Sequence, residues 1–197
     1  MAERGALLVV DVQNDFLPGG SLAVVEGDRV VPVLNRYIAH FRRAGRPVIA
    51  SRDWHPPVTV HFQAQGGVWP PHCVMDTPGG AFAPELALPA PAIIVSKGMD
   101  PKADSYSAFE AVDAAGRSLA EVLRSQGVER LYIGGLATDY CVKATVQDAL
   151  SAGFATTVLL DAVRGVNVQP HDAEVALEAM AGAGSDFTTL RRLVESS

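Results

Sequence analysis

Four residues with useful chemistry follow short apolar runs in this 197-residue chain: Asp11 after Ala6 to Val10, Asp53 after Pro47 to Ser51, Lys97 after Ala92 to Ser96, and Cys141 after Leu131 to Gly134 and the turn Gly135-Leu136-Ala137-Thr138. A thiol becomes a nucleophile when it loses its proton. A carboxylate can take that proton and later hand it to a leaving amine; an ammonium beside it keeps it ionised and offsets charge developing on a substrate. Cys141, Asp11 and Lys97 have the types for these three roles. Each alone has an ordinary explanation, as a packing thiol, a turn or cap residue, or half of a salt bridge. Their joint placement after successive strands favours chemistry. Cys141 is expected in the first turn of a helix capped by Thr138 or Asp139, where free backbone N–H groups stabilise a thiolate.

A second group lies downstream of Asp53. Asp53-Trp-His55 and Trp69-Pro-Pro-His72-Cys73 supply one carboxylate and two imidazoles, a donor set for one divalent ion, zinc first and iron or manganese as alternatives, with positions open to water and substrate. His61, eight residues after Asp53, is a candidate fourth ligand, which iron or manganese accepts more readily than tetrahedral zinc. His40 and His171 read as surface residues and Cys73 as a packing thiol.

The apolar runs that carry these residues, with Thr156 to Leu160 and a sixth candidate at Phe187 to Leu190, have the composition of strands buried on both faces. Helical periods lie between them. Val30, Leu34, Ile38 and Phe41 form one stripe; Ser118-Leu-Ala-Glu121 is a capping box opening a helix that Gly127 ends. Further helices are expected from about Tyr140 to Ser151 and around Ala173 to Met180. This alternation predicts a three-layer α/β/α arrangement with a mainly parallel sheet of about six strands. In such sheets ligands bind beyond the carboxyl ends of the strands, where Asp11, Asp53, Lys97 and Cys141 stand. The segment from about 53 to 90 has no sustained period and holds seven of the 13 prolines, so it reads as a long ordered, functional loop.

Length and composition suit a single domain over residues 1–197: 48% of residues are hydrophobic and 19% charged. The net charge of −6 without a basic patch argues against nucleic acid and anionic membranes and for a small-molecule substrate. The start of the chain reaches its first apolar run too soon for a signal peptide, and no run approaches the ~20 residues that span a bilayer. A cytoplasmic location with two free thiols is therefore expected. Homo-oligomerisation is left open.

Asp11-Val-Gln-Asn-Asp-Phe16, Asp53-Trp-His-Pro, Trp69-Pro-Pro-His-Cys73, Lys97-Gly98 with Asp104-Ser-Tyr-Ser-Ala-Phe109, and Gly135-Leu-Ala-Thr-Asp-Tyr-Cys141-Val resemble, in order, the motifs of the nicotinamidase family within the isochorismatase-like hydrolase superfamily. The resemblance runs from about Leu7 to Asn167. It implies Asp11, Lys97 and Cys141 as a catalytic triad, and Asp53, His55 and His72 as ligands of a metal that positions a pyridine nitrogen and water. It implies an oxyanion hole from the N–H groups of Ala137 and Cys141 with a cis peptide at Leu136–Ala137, and a ring pocket of Phe16, Trp69 and Tyr106. The implied reaction is hydrolysis of nicotinamide, and of pyrazinamide, to the acid and ammonia through a Cys141 thioester. Many relatives carry Asn-His after the prolines where this chain has Val58-Thr59, which leaves coordination by His61 open. Rival readings are an amidohydrolase of ureido or carbamoyl compounds, an isochorismatase, or a binding protein that has kept the fold without activity.

Overall fold

The computed structural model describes residues 4–90 and 92–195. Its sheet contains β1 (Gly5–Val10), β2 (Val48–Asp53), β3 (Ile93–Lys97), β4 (Arg130–Leu136), β5 (Ala155–Arg164) and β6 (Asp186–Thr188), in the order β3-β2-β1-β4-β5-β6. Every pairing is parallel. Side chains of β1 alternate between the two faces: Leu7 and Val9 enter one apolar cluster, Ala6, Leu8 and Val10 the other. Apolar residues are therefore needed at every position of a central strand, as the unbroken run in the sequence requires.

On the first face lies α1 (Val30–Arg43), which buries Val30, Leu34, Tyr37, Ile38 and Phe41. With it goes α5 (Leu190–Glu195). The other face carries α2 (Leu119–Ser125), α3 (Lys143–Ser151) and α4 (Asp172–Gly182). The capping box is present at α2: Ser118 accepts from Glu121 N, and the Glu121 carboxylate accepts from Ser118 N. Gly127 follows with φ +66°, the left-handed geometry that ends a helix. The three-layer α/β/α arrangement expected from the sequence is the one observed.

Boundaries differ in several places: β2 and β3 run on to take in Asp53 and Lys97 as their last residues, and β4 runs on to Leu136. β5 continues to Arg164 because a register shift between Ile133 and Gly135 restores its pairing with β4. β6 starts and stops early, and the chain turns into α5, whose first residue donates its N–H to Asp161 Oδ2 at 3.0 Å. The third helix does not begin as an α-helix: Thr138–Val142 forms a π-helical turn, with Val142 N donating to Ala137 O, before α3 starts.

Strand order reverses between β1 and β4, and the carboxyl ends of β1, β2, β3 and β4 meet there. Gly135 allows the closest approach at this point. It has φ +129°, and a Cβ would lie 2.0 Å from Val10 O. Gly135→Ala is expected to cost on the order of 3 kcal/mol or more, whereas Gly182→Ala, at the open end of α4, should be neutral or stabilising by up to ~1 kcal/mol. Urea denaturation of the two variants checks this, and equal stability of both would contradict the close packing of β1 on β4.

Candidate active site

The Lys97 side chain is fully buried at the end of β3 and sits among three groups from three other elements. Its Nζ lies 3.0 Å from Asp11 Oδ2 and 3.5 Å from Cys141 Sγ, and it donates to Asp53 Oδ1. Parallel register sets this meeting: Asp53 and Lys97 are partners across β2 and β3, and Ser51 pairs with Val10, placing Asp11 one step beyond. Asp11 has φ +49°, a left-handed turn directly off the strand.

The two oxygens of Asp11 have different surroundings. Oδ1 accepts from Ser51 Oγ at 2.7 Å, while Oδ2 faces the ammonium without a hydrogen bond of good geometry. Donor atoms of Asp11, Asp53 and Cys141 lie within 4.8 Å of one another. Burial pushes the Asp11 carboxyl above its usual range; the Lys97 charge opposes this and Asp53 adds to it. Burial also penalises an ionised Asp53, but Lys97 and His55 outweigh it and hold this carboxyl well below the usual range. Lys97 is kept firmly protonated: burial disfavours its charge, and Asp11, Asp53 and Cys141 more than restore it.

Cys141 departs from the sequence expectation. Neither Thr138 nor Asp139 caps the turn that carries it, and Ala137, in extended conformation, takes the cap position without a side-chain bond. Burial drives the Cys141 thiol well above its ordinary pKa, with Lys97 lowering it and both carboxylates raising it again. A thiol raised in this way favours its protonated form and needs a base beside it if it is to act as a nucleophile. Asp139 serves elsewhere, accepting from Val166 N at 2.9 Å and Asn167 N at 2.8 Å.

Beside this cluster opens a pocket of about 380 Å³, mouth included, lined by Phe16, Trp69, Tyr106, Ala137 and Cys141, by Asp53, His61 and His72, and by Leu22, Ser105, Tyr140 and Val166. Trp69 Nε1 donates to Tyr106 Oη at 3.0 Å, and Tyr140 packs edge-on to Trp69. The Leu136–Ala137 peptide is cis. All the residues expected around a ring and an oxyanion thus come together.

His61 and His72 of the lining stand with His55 as a cluster, each 3% exposed or less, with donor nitrogens within 4.8 Å of one another. Each has Nδ1 against an oxygen: Gly98 O at 3.0 Å for His55, Pro70 O at 2.8 Å for His72, and Asp104 Oδ1 for His61. With protons on Nδ1, the Nε2 lone pairs remain for a ligand. His55 Nε2 is buried without a hydrogen-bond partner among the described residues, and lies 3.8 Å from Asp53 Oδ2. An orphaned buried nitrogen, two more imidazoles and a carboxylate fit a divalent cation. Burial lowers the pKa of His61, with Asp104 opposing it, and pulls that of His72 down to about 4. His61 therefore joins the cluster that the sequence left open for it. Cys73, next to His72, is a buried free thiol in the apolar cluster under α1, and His40 and His171 lie elsewhere, half-buried on α1 and exposed before α4.

Gln13, Ser51, Asp104 and Tyr140 had no assigned role in the sequence. Gln13 Nε2 donates to Asp53 O at 2.7 Å and Gly80 O at 2.9 Å, tying β2 to the long loop. Only its place two residues after Asp11 hinted at this. Ser51 lies on a strand, where a small polar residue in an apolar run was the available signal.

The isochorismatase domain family matches residues 5–192. A nicotinamidase of Escherichia coli is 45% identical, with 94% of each chain covered. A nicotinamidase/pyrazinamidase of Mycobacterium tuberculosis is 41% identical over 92% of this chain and 97% of its own. Among solved structures, a pyrazinamidase of Pyrococcus horikoshii in complex with zinc superposes with a TM-score of 0.88 at 46% identity, covering 95% of this chain and 99% of that one.

Replacing Lys97 by Met is expected to leave both carboxyls buried without a counter-charge. Their folded pKa values then rise above the unfolded ~3.9, so they cost stability at higher pH and stop doing so as pH falls through the folded values. The variant should lose about 3–5 kcal/mol near pH 8, and less near pH 5. Urea denaturation of the chelator-treated protein at both pH values is the check, and a deficit independent of pH would contradict the shared ammonium.

Proposed function

The chain belongs to the isochorismatase family, and from that membership we propose that it is a nicotinamidase, hydrolysing nicotinamide to nicotinate and ammonia with Asp11, Lys97 and Cys141 as its catalytic residues. The observation that carries the reading is that Cys141, with Asp11 beside it, lines an aromatic pocket that is also lined by His61 and His72 of the histidine cluster. Phe16, Trp69 and Tyr106 hold the ring. The Cys141 thiol also favours an amidase over an isochorismatase, whose reaction needs no nucleophilic sulfur.

Asp11 Oδ2 takes the proton of Cys141 Sγ, and Lys97, 3.5 Å from the sulfur, balances the thiolate while it attacks the carboxamide carbon. The N–H groups of Ala137 and Cys141 hold the resulting oxyanion, each worth on the order of 3 kcal/mol. Collapse breaks the C–N bond as Asp11 returns its proton to the leaving nitrogen, giving ammonia and a thioester. Water then adds to the thioester, Asp11 taking its proton, and the sulfur leaves as a thiolate that Asp11 reprotonates. A carboxyl raised by burial suits a group that must both accept and donate.

Asp53, His55, His61 and His72 are the proposed ligands of one divalent ion. When bound it supplies a Lewis-acid anchor for a ring nitrogen, holding the carboxamide toward Cys141. Zinc is the proposed metal, supported by the zinc complex of the Pyrococcus horikoshii relative. The two free thiols suit a reducing, cytoplasmic setting, and among the described residues no helix is long and apolar enough to cross a membrane.

Ammonia release from three amides tests the reading. Nicotinamide and pyrazinamide, which share a ring nitrogen in the same relation to the carboxamide, should both be hydrolysed. Benzamide, which has none, should show kcat/KM lower by about 100-fold or more, because the anchoring group is left unpaired. Equal values for nicotinamide and benzamide would remove the anchoring role, and no hydrolysis of any of the three would remove the assignment.

A further inference from the structure

Two imidazoles of the histidine cluster are oriented by backbone carbonyls, His55 by Gly98 and His72 by Pro70. Such acceptors come with the path of the chain. The third, His61, is oriented by a side chain: its Nδ1–H donates to Asp104 Oδ1, across 43 residues of sequence. The His61 ring otherwise stacks on His55, at 4.6 Å between centroids and 21° between planes, and meets Phe62, His72 and Tyr106 at a tilt. Stacking fixes the plane of a ring but not which nitrogen points where. A half-turn of the ring about its Cβ–Cγ bond would exchange Nδ1 with Cδ2 and Nε2 with Cε1 at little cost in apolar contact.

The loop that brings Asp104 here is fastened on both sides of it. Before it, Pro101 O accepts from Val60 N at 2.9 Å, joining the loop to the residue next to His61. After it, Glu110 Oε2 accepts from Ser105 Oγ at 2.6 Å and from Tyr106 N at 3.0 Å. The Asp104 side chain is 56% exposed, so neither burial nor packing accounts for its position over the ring.

We propose that Asp104 is a positioning residue of the metal centre: by accepting from His61 Nδ1 it leaves Nε2 as the nitrogen available to the cluster and makes His61 a ligand. This rests on the reading that the cluster holds a divalent ion. Carboxylates that accept from the far nitrogen of a ligating histidine fix its tautomer and raise its basicity, and their loss commonly costs 10–100-fold in metal affinity.

The test uses metal-free full-length protein, titrated with Zn²⁺ against a chromophoric chelator, with Co²⁺ visible spectra as a second readout. Asp104→Ala is expected to weaken Zn²⁺ binding by about 10–100-fold and to shift the Co²⁺ spectrum toward that of His61→Ala. Asp104→Asn keeps an acceptor oxygen, and should recover much of the affinity and the wild-type spectrum. In a His61→Ala background, Asp104→Ala should add less than about twofold, because its effect passes through that ring. Zn²⁺ affinity of Asp104→Ala within about twofold of wild type, or an equal loss with and without His61, would overturn the proposal. His55→Ala separates this from failure of the metal centre itself: if wild type takes up no Zn²⁺, or His55→Ala binds as wild type does, the centre is misread and the role of Asp104 falls with it.

Discussion

One buried ammonium organises this site. Lys97 faces two carboxylates and a thiol, all with almost no solvent, and its single positive charge cannot neutralise both Asp11 and Asp53. The structure resolves this unequally. Asp53 is held firmly ionised, whereas Asp11 keeps a raised pKa and one oxygen without a hydrogen bond. The residual negative charge suits a cation on the far side of Asp53, where the histidines stand. That inequality between two carboxylates sharing one ammonium separates a proposed ligand from a proposed acid–base group.

Asp53 is the joint between the two halves. Oδ1 accepts from Lys97, Oδ2 lies beside His55 Nε2, and its backbone is gripped by Gln13 through both N–H and C=O. Positioning of the proposed catalytic groups and of the histidines is thus not independent. The parallel register that aligns Asp53 with Lys97 is the backbone feature on which both rest. It forms only because β1, β2 and β3 are apolar enough to be buried on the faces they share.

Much of this could be read from residue order. Each chemical residue stood at the end of an apolar run, and parallel sheets place such ends together, so the meeting of Asp11, Asp53, Lys97 and Cys141 followed from pattern alone. Asp53, His55 and His72 were also grouped from their order, but whether His61 joins them needed the folded loop, because the path of a segment rich in Pro and Gly depends on tertiary contacts such as Gln13 to Gly80. The nature of the Cys141 turn was misjudged for a related reason. Thr138 and Asp139 have good capping types, but the chain enters as a π-helical turn and Asp139 is drawn to the Val166–Asn167 turn. The state of the sulfur follows from burial beside two carboxylates, which sequence order does not reveal. Ser51 and Asp104, the latter inside a quoted motif, were given no role because the partner of each is another side chain.

The account turns on Asp11 as the base for a Cys141 that rests as a thiol. The most direct measurement is rapid acid quench of the enzyme during turnover of nicotinamide, followed by peptide mass spectrometry. A pyridinecarbonyl adduct confined to the Cys141 peptide, forming in the wild type and failing to accumulate in Asp11→Asn, is the result expected. Turnover without any adduct on Cys141, or an adduct that forms as fast in Asp11→Asn as in the wild type, would contradict it.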